Sequence, residues 1–146
     1  MALDRAFVAL NRTSTERIRT LAATLSPTQL QHPVGEHWTV AIALIHIAFW
    51  ERRVLDVLDR TEQAGTLTFP EIDMVVNDLS LPFWAVIAPA DAVRLAVEFA
   101  EAVDRRLEEY PPALLEEVYN RYDRWVVRSL HRNAHLDEVD AAVEAR

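Results

Sequence analysis

Three histidines are the residues of this sequence best suited by type and spacing to do chemistry. His131 and His135 are four residues apart, so on a helix their side chains lie on one face, one turn from each other. His46 is the only polar residue between Val40 and Trp50, and we therefore expect it to be buried. Because imidazole nitrogen is a common ligand of divalent metals, His46, His131 and His135 predict a metal site.

Simpler interpretations of the same residues stay open. A buried imidazole needs a partner for each ring nitrogen, since an unpaired polar group costs about 1–3 kcal/mol, and a hydrogen-bonded core histidine meets that need without a metal. The pair His131 and His135 could equally be solvated. No Glu directly follows His131, so this is not the helix of the zinc proteases. The predicted depth of each histidine in its helix allows the three to meet with parallel or antiparallel helices.

Two further histidines, His32 and His37, lie in a stretch that contains Pro33 and Gly35 and precedes the helix of His46. Such residues favour a turn, where exposed histidines are ordinary. The role of both stays open. The sequence identifies no catalytic acid–base pair beside the metal-site histidines and no cofactor-binding residue.

The rest of the chain must supply helices that hold these side chains. Its 146 residues suit one domain, residues 1–146, and with 51% of them apolar there is enough material for one hydrophobic core. Only two Gly occur, and seven Pro cluster between periodic segments, which is typical of long helices joined by defined breaks. Apolar residues repeat at helical spacing in four segments, residues 7–25, 39–60, 92–107 and 123–143. We predict an all-α fold in which the four helices form a bundle.

The connection between the second and third predicted helices, residues 61–88, is long for a bundle. It can run back along a whole helix, so those two helices could be parallel. Its apolar residues, Phe83 and Trp84 among them, argue against a disordered linker. They either cover an edge of the core or form a lid or a homodimer surface.

Charge disfavours two classes of partner. The formal net charge is −8, and every cationic side chain other than histidine is an Arg because the chain has no Lys. An acidic surface repels phosphate backbones and anionic lipids, so we expect neither nucleic acid nor a membrane as partner. The pairs Arg52-Arg53 and Arg105-Arg106 are interpreted as solvated helix faces.

Cysteine is absent, which removes disulfides, thiolate ligands and a protein thiol nucleophile together. Any sulfur chemistry must use an external thiol. The longest apolar run, residues 40–45, is too short to span a bilayer, and the first residues do not form the apolar region of a secretory signal. We expect a cytoplasmic protein.

Most of the sequence resembles the DinB/YfiT-like superfamily of bacterial four-helix-bundle metalloproteins. The family's pattern of Trp, a small hydroxyl residue, Leu and His at the start of the second helix is similar to Trp38-Thr39, Leu44 and His46-Ile47. Its terminal His-x-x-x-His helix resembles His131 and His135, followed by Val139. The stretch with Asp73 and Asn77 also looks like the family. Ile42 departs from it, because relatives often have an acid three residues after the helix cap.

This resemblance implies a DinB-like bundle in up-down-down-up order, with the long crossover between the second and third helices. It also implies a divalent ion, zinc or nickel, held by His46, His131 and His135. Relatives include bacillithiol transferases and mycothiol-dependent maleylpyruvate isomerases. The implied partners are therefore a small-molecule thiol and an electrophile.

The chemistry of three neutral imidazoles fits a catalytic metal, because the ion keeps its charge and retains open coordination positions. A thiol that binds there has its pKa lowered from about 8.5, which suits a thiol S-transferase. The same position can activate water for hydrolysis of a small molecule. We predict a metal-dependent thiol transferase. A metal-dependent hydrolase and a non-catalytic metal- or ligand-binding bundle are the alternatives.

Overall fold

Helices dominate the chain. The computed structural model describes residues 3–145. The α-helices of that range are α1 (Phe7–Thr24), α2 (Pro27–Leu30), α3 (Val40–Ala64), α4 (Val76–Trp84), α5 (Pro89–Glu109), α6 (Pro112–Arg121) and α7 (Ser129–Glu144). Two strands of two residues each, β1 (Pro33–Val34) and β2 (Trp38–Thr39), pair antiparallel as a hairpin just before α3. The predicted all-α class is confirmed.

Helix α3 carries His46 and has a defined residue at each end. The Thr39 side chain accepts a hydrogen bond from the backbone N–H of Ile42 at 3.2 Å, which caps the first turn. Gly65 follows the last turn with φ of 73°, a left-handed conformation that a residue without a Cβ adopts at little cost. Both ends are therefore fixed by local chemistry, and His46 lies two turns inside the helix.

The last predicted helix begins later than expected. The sequence predicts a start at Asp123, but residues Asp123–Trp125 form a 3-10 helix and α7 begins at Ser129. The reason is a tight turn in which the Asp123 carbonyl accepts the N–H of Val127 at 2.8 Å. Asn11 of α1 then caps α7, because its Oδ1 accepts the N–H of Ser129 at 3.0 Å. A cap from so distant a residue leaves no local sequence signal.

Three short helices, α2, α4 and α6, lie outside the four predicted segments. Pro111 and Pro112 follow the end of α5, and Pro112 also opens α6, since a proline at the first helical position loses no intrahelical hydrogen bond. Within the long connection, α4 packs on α3 through Trp84, whose ring centroid is 5.6 Å from that of Phe49. Trp84 is buried, whereas the neighbouring Phe83 is 73% exposed. Trp84 therefore covers the core.

The relative directions of the long helices follow from paired side chains. Helices α1 and α7 are parallel, α3 and α5 are parallel, and the two pairs are antiparallel to each other. The antiparallel pairs are α1 with α5, shown by Arg12–Glu108 and Arg19–Glu101, and α3 with α7, shown by Glu51–Arg128 and His46–His131. The parallel pair α1 and α7 is shown by Asn11–Ser129 and Arg17–Asp137. The parallel pair α3 and α5 is shown by Asp59–Arg106 and by the apolar cluster that Ile42 and Ala92 share.

Three apolar clusters fill the interior between these helices, and a polar layer separates the two largest of them. One cluster includes Leu44 and Leu136, and the other includes Leu58 and Leu107. Between them the fully buried guanidinium of Arg132 binds Glu51 and Asp104. Because Arg132 follows His131 directly, these ion pairs fix how α7 is rotated against α3.

Among the helices of residues 3–145, none combines the length and the apolar character needed to cross a lipid bilayer.

Candidate metal centre

The three histidines singled out by the sequence lie together between α3 and α7. His46 is 3% exposed, and one ring nitrogen from each of His46, His131 and His135 lies within 4.8 Å of the others. The antiparallel packing places His46, in the first half of α3, beside the first two turns of α7. This buried group could hold a metal ion.

The approach of His46 to His131 has the dimensions of metal coordination. The Nε2 atoms of His46 and His131 are 3.2 Å apart. Two nitrogens bound to one tetrahedral zinc at about 2.0–2.1 Å lie about 3.3 Å from each other. The pair therefore needs little adjustment to share an ion.

Two ring nitrogens of the group have unmet hydrogen-bonding needs. Within the described range, the buried Nδ1 atoms of His46 and His135 make no hydrogen bond. The nearest carboxylate to Nδ1 of His135 is Glu138, at 3.7 Å, which is too long for a hydrogen bond. Such atoms are costly to bury, and an ion bound directly to one of them would offset its cost.

All three rings are held in the neutral form that metal binding requires. Burial lowers the pKa of His46 to about 3, because the charged ring would lose its water, and the neighbouring His135 lowers it further. Burial also lowers the pKa of His131 to about 2, together with the positive charge of Arg128. The pKa of His135 is lowered as well, by burial, although Glu138 opposes the shift.

Arg128 determines which nitrogen of His131 carries its proton. Its Nη2 lies 3.3 Å from Nδ1 of His131, and a guanidinium can only donate a hydrogen bond. In the neutral ring the proton is then on Nε2, which can donate to His46. An ion held through Nε2 of His131 would require that proton to be on Nδ1, and Arg128 would then have to give up this contact.

A cavity of about 330 Å³ opens beside the histidines. Its walls combine aromatic rings with cationic and amide groups. The lining residues away from the histidines include Trp38, Trp50, Asn77, Tyr122, Trp125 and three arginines, Arg53, Arg124 and Arg128. Asn77 is fixed there because its Oδ1 accepts the indole N–H of Trp50 at 3.0 Å. The volume lies at the lower end of the range of about 300–1,000 Å³ typical of small-molecule pockets.

Comparisons with protein-family models, with curated proteins and with solved structures find no match to this chain. The resemblance to the DinB/YfiT-like superfamily therefore stays a prediction.

His32 and His37 lie outside the three-histidine group. His37 is exposed, and its Nε2 is 3.7 Å from Glu36. It therefore differs from His46 in both burial and surroundings, which makes it a suitable control residue.

Several polar residues of the site are not predicted by the sequence. Arg53 is interpreted as part of a solvated helix face, but it is 8% exposed and lines the cavity. Glu51 is fully buried, and both its oxygens accept hydrogen bonds from Arg128 and Arg132. Their positions in the sequence could have indicated that they belong to the site, because Glu51 is five residues after His46 and Arg132 directly follows His131.

Proposed function

We propose that this chain binds one divalent cation through His46, His131 and His135 and uses it to transfer a low-molecular-weight thiol to a small electrophile. The observation that carries the proposal is the convergence of three neutral imidazoles beside a cavity. Zinc and nickel are the ions we expect, because both accept imidazole ligands. An ion held there lowers the pKa of a bound thiol toward neutrality.

The proposed architecture is a DinB-like four-helix bundle in the order up, down, down, up. The side-chain pairs between α1, α3, α5 and α7 support this order, as does the long connection that contains α4. The family assignment rests on the pattern around Trp38, Thr39 and His46 and on the pair His131 and His135.

The chain's own residues favour thiol transfer over hydrolysis. Of the described residues that line the cavity, none is an Asp or a Glu. The nearby carboxylate of Glu51 is held by Arg128 and Arg132, and although burial alone would raise its pKa, these arginines lower it to about 2. It is therefore a poor acceptor for a proton from water. A thiol activated by a metal needs no protein base, because its pKa is already low.

Metal content is the first test. Untagged protein, loaded and dialysed, should hold about one ion per chain by elemental analysis, and His46→Ala and His131→Ala should each lose most of it because two imidazoles are a weaker site. His37→Ala is the matched control and should bind like wild type. Equal metal content in all four proteins would reject the site.

The reaction is tested with metal-loaded protein, a panel of thiols and several electrophiles. Conjugation should be accelerated most at pH 6.5, below the pKa of the free thiol, and less at pH 8.5, where free thiolate is abundant. His46→Ala should abolish the acceleration. Cleavage of esters or amides without any thiol transfer would favour the hydrolase, and inertness in both assays would favour the binding bundle.

A further inference from the structure

The cavity beside the histidines is a cationic site in an acidic protein. The chain has a net charge of −8, yet among the described residues the cavity wall contains three arginines and no carboxylate. An arginine in a pocket whose charge is not fully compensated favours a negatively charged ligand.

Arg53 has a buried charge with weak compensation. Its side chain is 7% exposed, and its Nη1 lies 3.8 Å from Oδ2 of Asp56, beyond hydrogen-bonding distance. Its Nη2 donates to the carbonyl of Pro70. Because burying a guanidinium without an acceptor for its charge is costly, a ligand carboxylate in the cavity would stabilise this side chain.

Arg124 and Arg128 both line the cavity, but they differ in whether an acid already neutralises their charge. Arg128 is neutralised by Glu51, with an Nη2–Oε1 distance of 3.1 Å. Arg124 is exposed and forms no ion pair within residues 3–145. Arg124, which has no ion pair within the described residues, and Arg53, whose charge is only weakly compensated, are therefore the groups best placed to hold an anion.

The apolar part of the cavity suits a flat ligand. Trp50, Tyr122 and Trp125 line it and also line a second cavity that adjoins it through these residues and Arg53. Tyr122 and Trp125 lie edge to face, with ring centroids 5.5 Å apart. Aromatic walls favour a planar apolar body.

We propose that this cavity binds a small organic carboxylate, whose negative group is held by Arg53 and Arg124 and whose planar apolar body packs against Trp50 and Trp125. The inference builds on the proposed function, because it names the class of molecule presented to the three histidines. The binding itself uses residues that are not metal ligands. It is therefore expected in metal-free protein.

Calorimetric titration of metal-free protein with benzoate, phenylacetate and 2-naphthoate tests the proposal. At least one carboxylate should bind saturably, and its neutral amide should bind about tenfold more weakly or worse, because a charge-assisted hydrogen bond contributes about 1.5–3 kcal/mol. Arg124→Gln should lose a similar factor. Since Arg124 is exposed, this variant should fold, whereas Arg53→Gln adds information only if its helix content is unchanged.

Arg94→Gln is the matched control, because it removes the same charge from an exposed position on α5, where Arg94 pairs with Glu98. It should bind like wild type. Equal binding of acid and amide, equal loss in Arg94→Gln, displacement by inorganic phosphate at the same concentration, or no saturable binding would each overturn the proposal.

The same titration of His46→Ala separates this inference from the proposed function. Carboxylate binding that survives in His46→Ala supports the anion site whether or not wild type binds metal. Metal binding by wild type without carboxylate binding by any form would leave the proposed function intact and reject the anion site.

Discussion

Glu51 shows how a single buried carboxylate supports the site without lining it. Its two oxygens accept from Arg128 and Arg132, and Arg128 in turn contacts His131. Arg132 is also bound to Asp104, so positive and negative charges alternate through the polar layer. Removing one member leaves its partners charged and buried, without water or an opposite charge, which is why such pairs are costly to break.

Glu51→Gln should therefore destabilise the protein by about 3–5 kcal/mol. The amide keeps the volume of the side chain but removes the charge that neutralises two buried guanidinium groups. Urea unfolding at pH 7, in metal-free protein so that ion binding adds nothing, measures the difference. Glu98→Gln, on the exposed face of α5, should leave the unfolding midpoint nearly unchanged. A Glu51→Gln midpoint equal to that of wild type would contradict the role of the polar layer.

The same residue predicts how stability depends on pH. Burial opposes ionisation of Glu51, but Arg128 and Arg132 outweigh it and lower its pKa from 4.5 to about 2. Because the unfolded chain then takes up the proton first, the stabilisation is complete above about pH 4.5 and is lost as pH falls toward about 2. The difference in unfolding free energy between wild type and Glu51→Gln should shrink from pH 5 to pH 3. A constant difference over that range would exclude this ionisation.

At the scale of helices, Thr39 ends the β-hairpin and begins α3. Its side chain caps the helix at Ile42, and no acid at position 42 completes a capping box. Thr39→Ala should therefore cost about 1 kcal/mol, with Thr39→Ser restoring most of it. Thermal unfolding followed by circular dichroism measures both. Thr24→Ala, which removes only an exposed hydroxyl bonded to the Thr20 carbonyl, is the control and should have a smaller effect.

Elements with strong local signals are the ones that the sequence predicts well. Helices α1 and α3 have continuous apolar spacing and a clear stop or cap, so their bounds agree with the prediction within a few residues at most ends. Helices α4 and α6 are short and include or begin with proline, which resembles a break. The start of α7 depends on Asn11, more than a hundred residues away, and no local pattern encodes it.

The residues of the site can likewise be divided into those that local sequence predicts and those that it does not. Residue type and spacing are enough to single out His46, His131 and His135, because a polar residue in an apolar run and a four-residue repeat are both local. The arginines of the cavity are not predictable in this way. Arg52 and Arg53 are adjacent and chemically identical, but only Arg53 is turned inward, and that depends on how α3 is rotated in the finished core.

At the scale of the whole molecule, exposed apolar residues are concentrated on and around α4. Leu79, Phe83 and Val86 are 67%, 73% and 83% exposed. Adjacent exposed apolar side chains of this size favour an interface between proteins. We propose that two copies of the chain pack there as a symmetric homodimer. Trp84 does not belong to this surface, because it is buried against α3.

Phe83→Ser combined with Val86→Ser should convert a dimer into a monomer while helix content stays constant. Light scattering coupled to size-exclusion chromatography gives the mass, and circular dichroism gives the helix content. Leu10→Ser, which changes an exposed apolar residue of α1, should leave the mass unchanged. If wild type is already a monomer, or if the double variant keeps the dimer mass, the interface does not lie on α4.

The aromatic lining of the cavity has an optical consequence. Three of the four tryptophans, Trp38, Trp50 and Trp84, have ring centroids 4.7, 6.3 and 6.0 Å from that of His46, and the fourth, Trp125, lines the same cavity. All four tryptophans therefore lie close to the three histidines or to the cavity beside them. Nickel, with a partly filled d shell, should quench most of the intrinsic fluorescence and saturate near one equivalent, whereas zinc, with a filled shell, should leave it bright. His46→Ala should stay bright with either ion, so the tryptophans can report occupancy without any added dye.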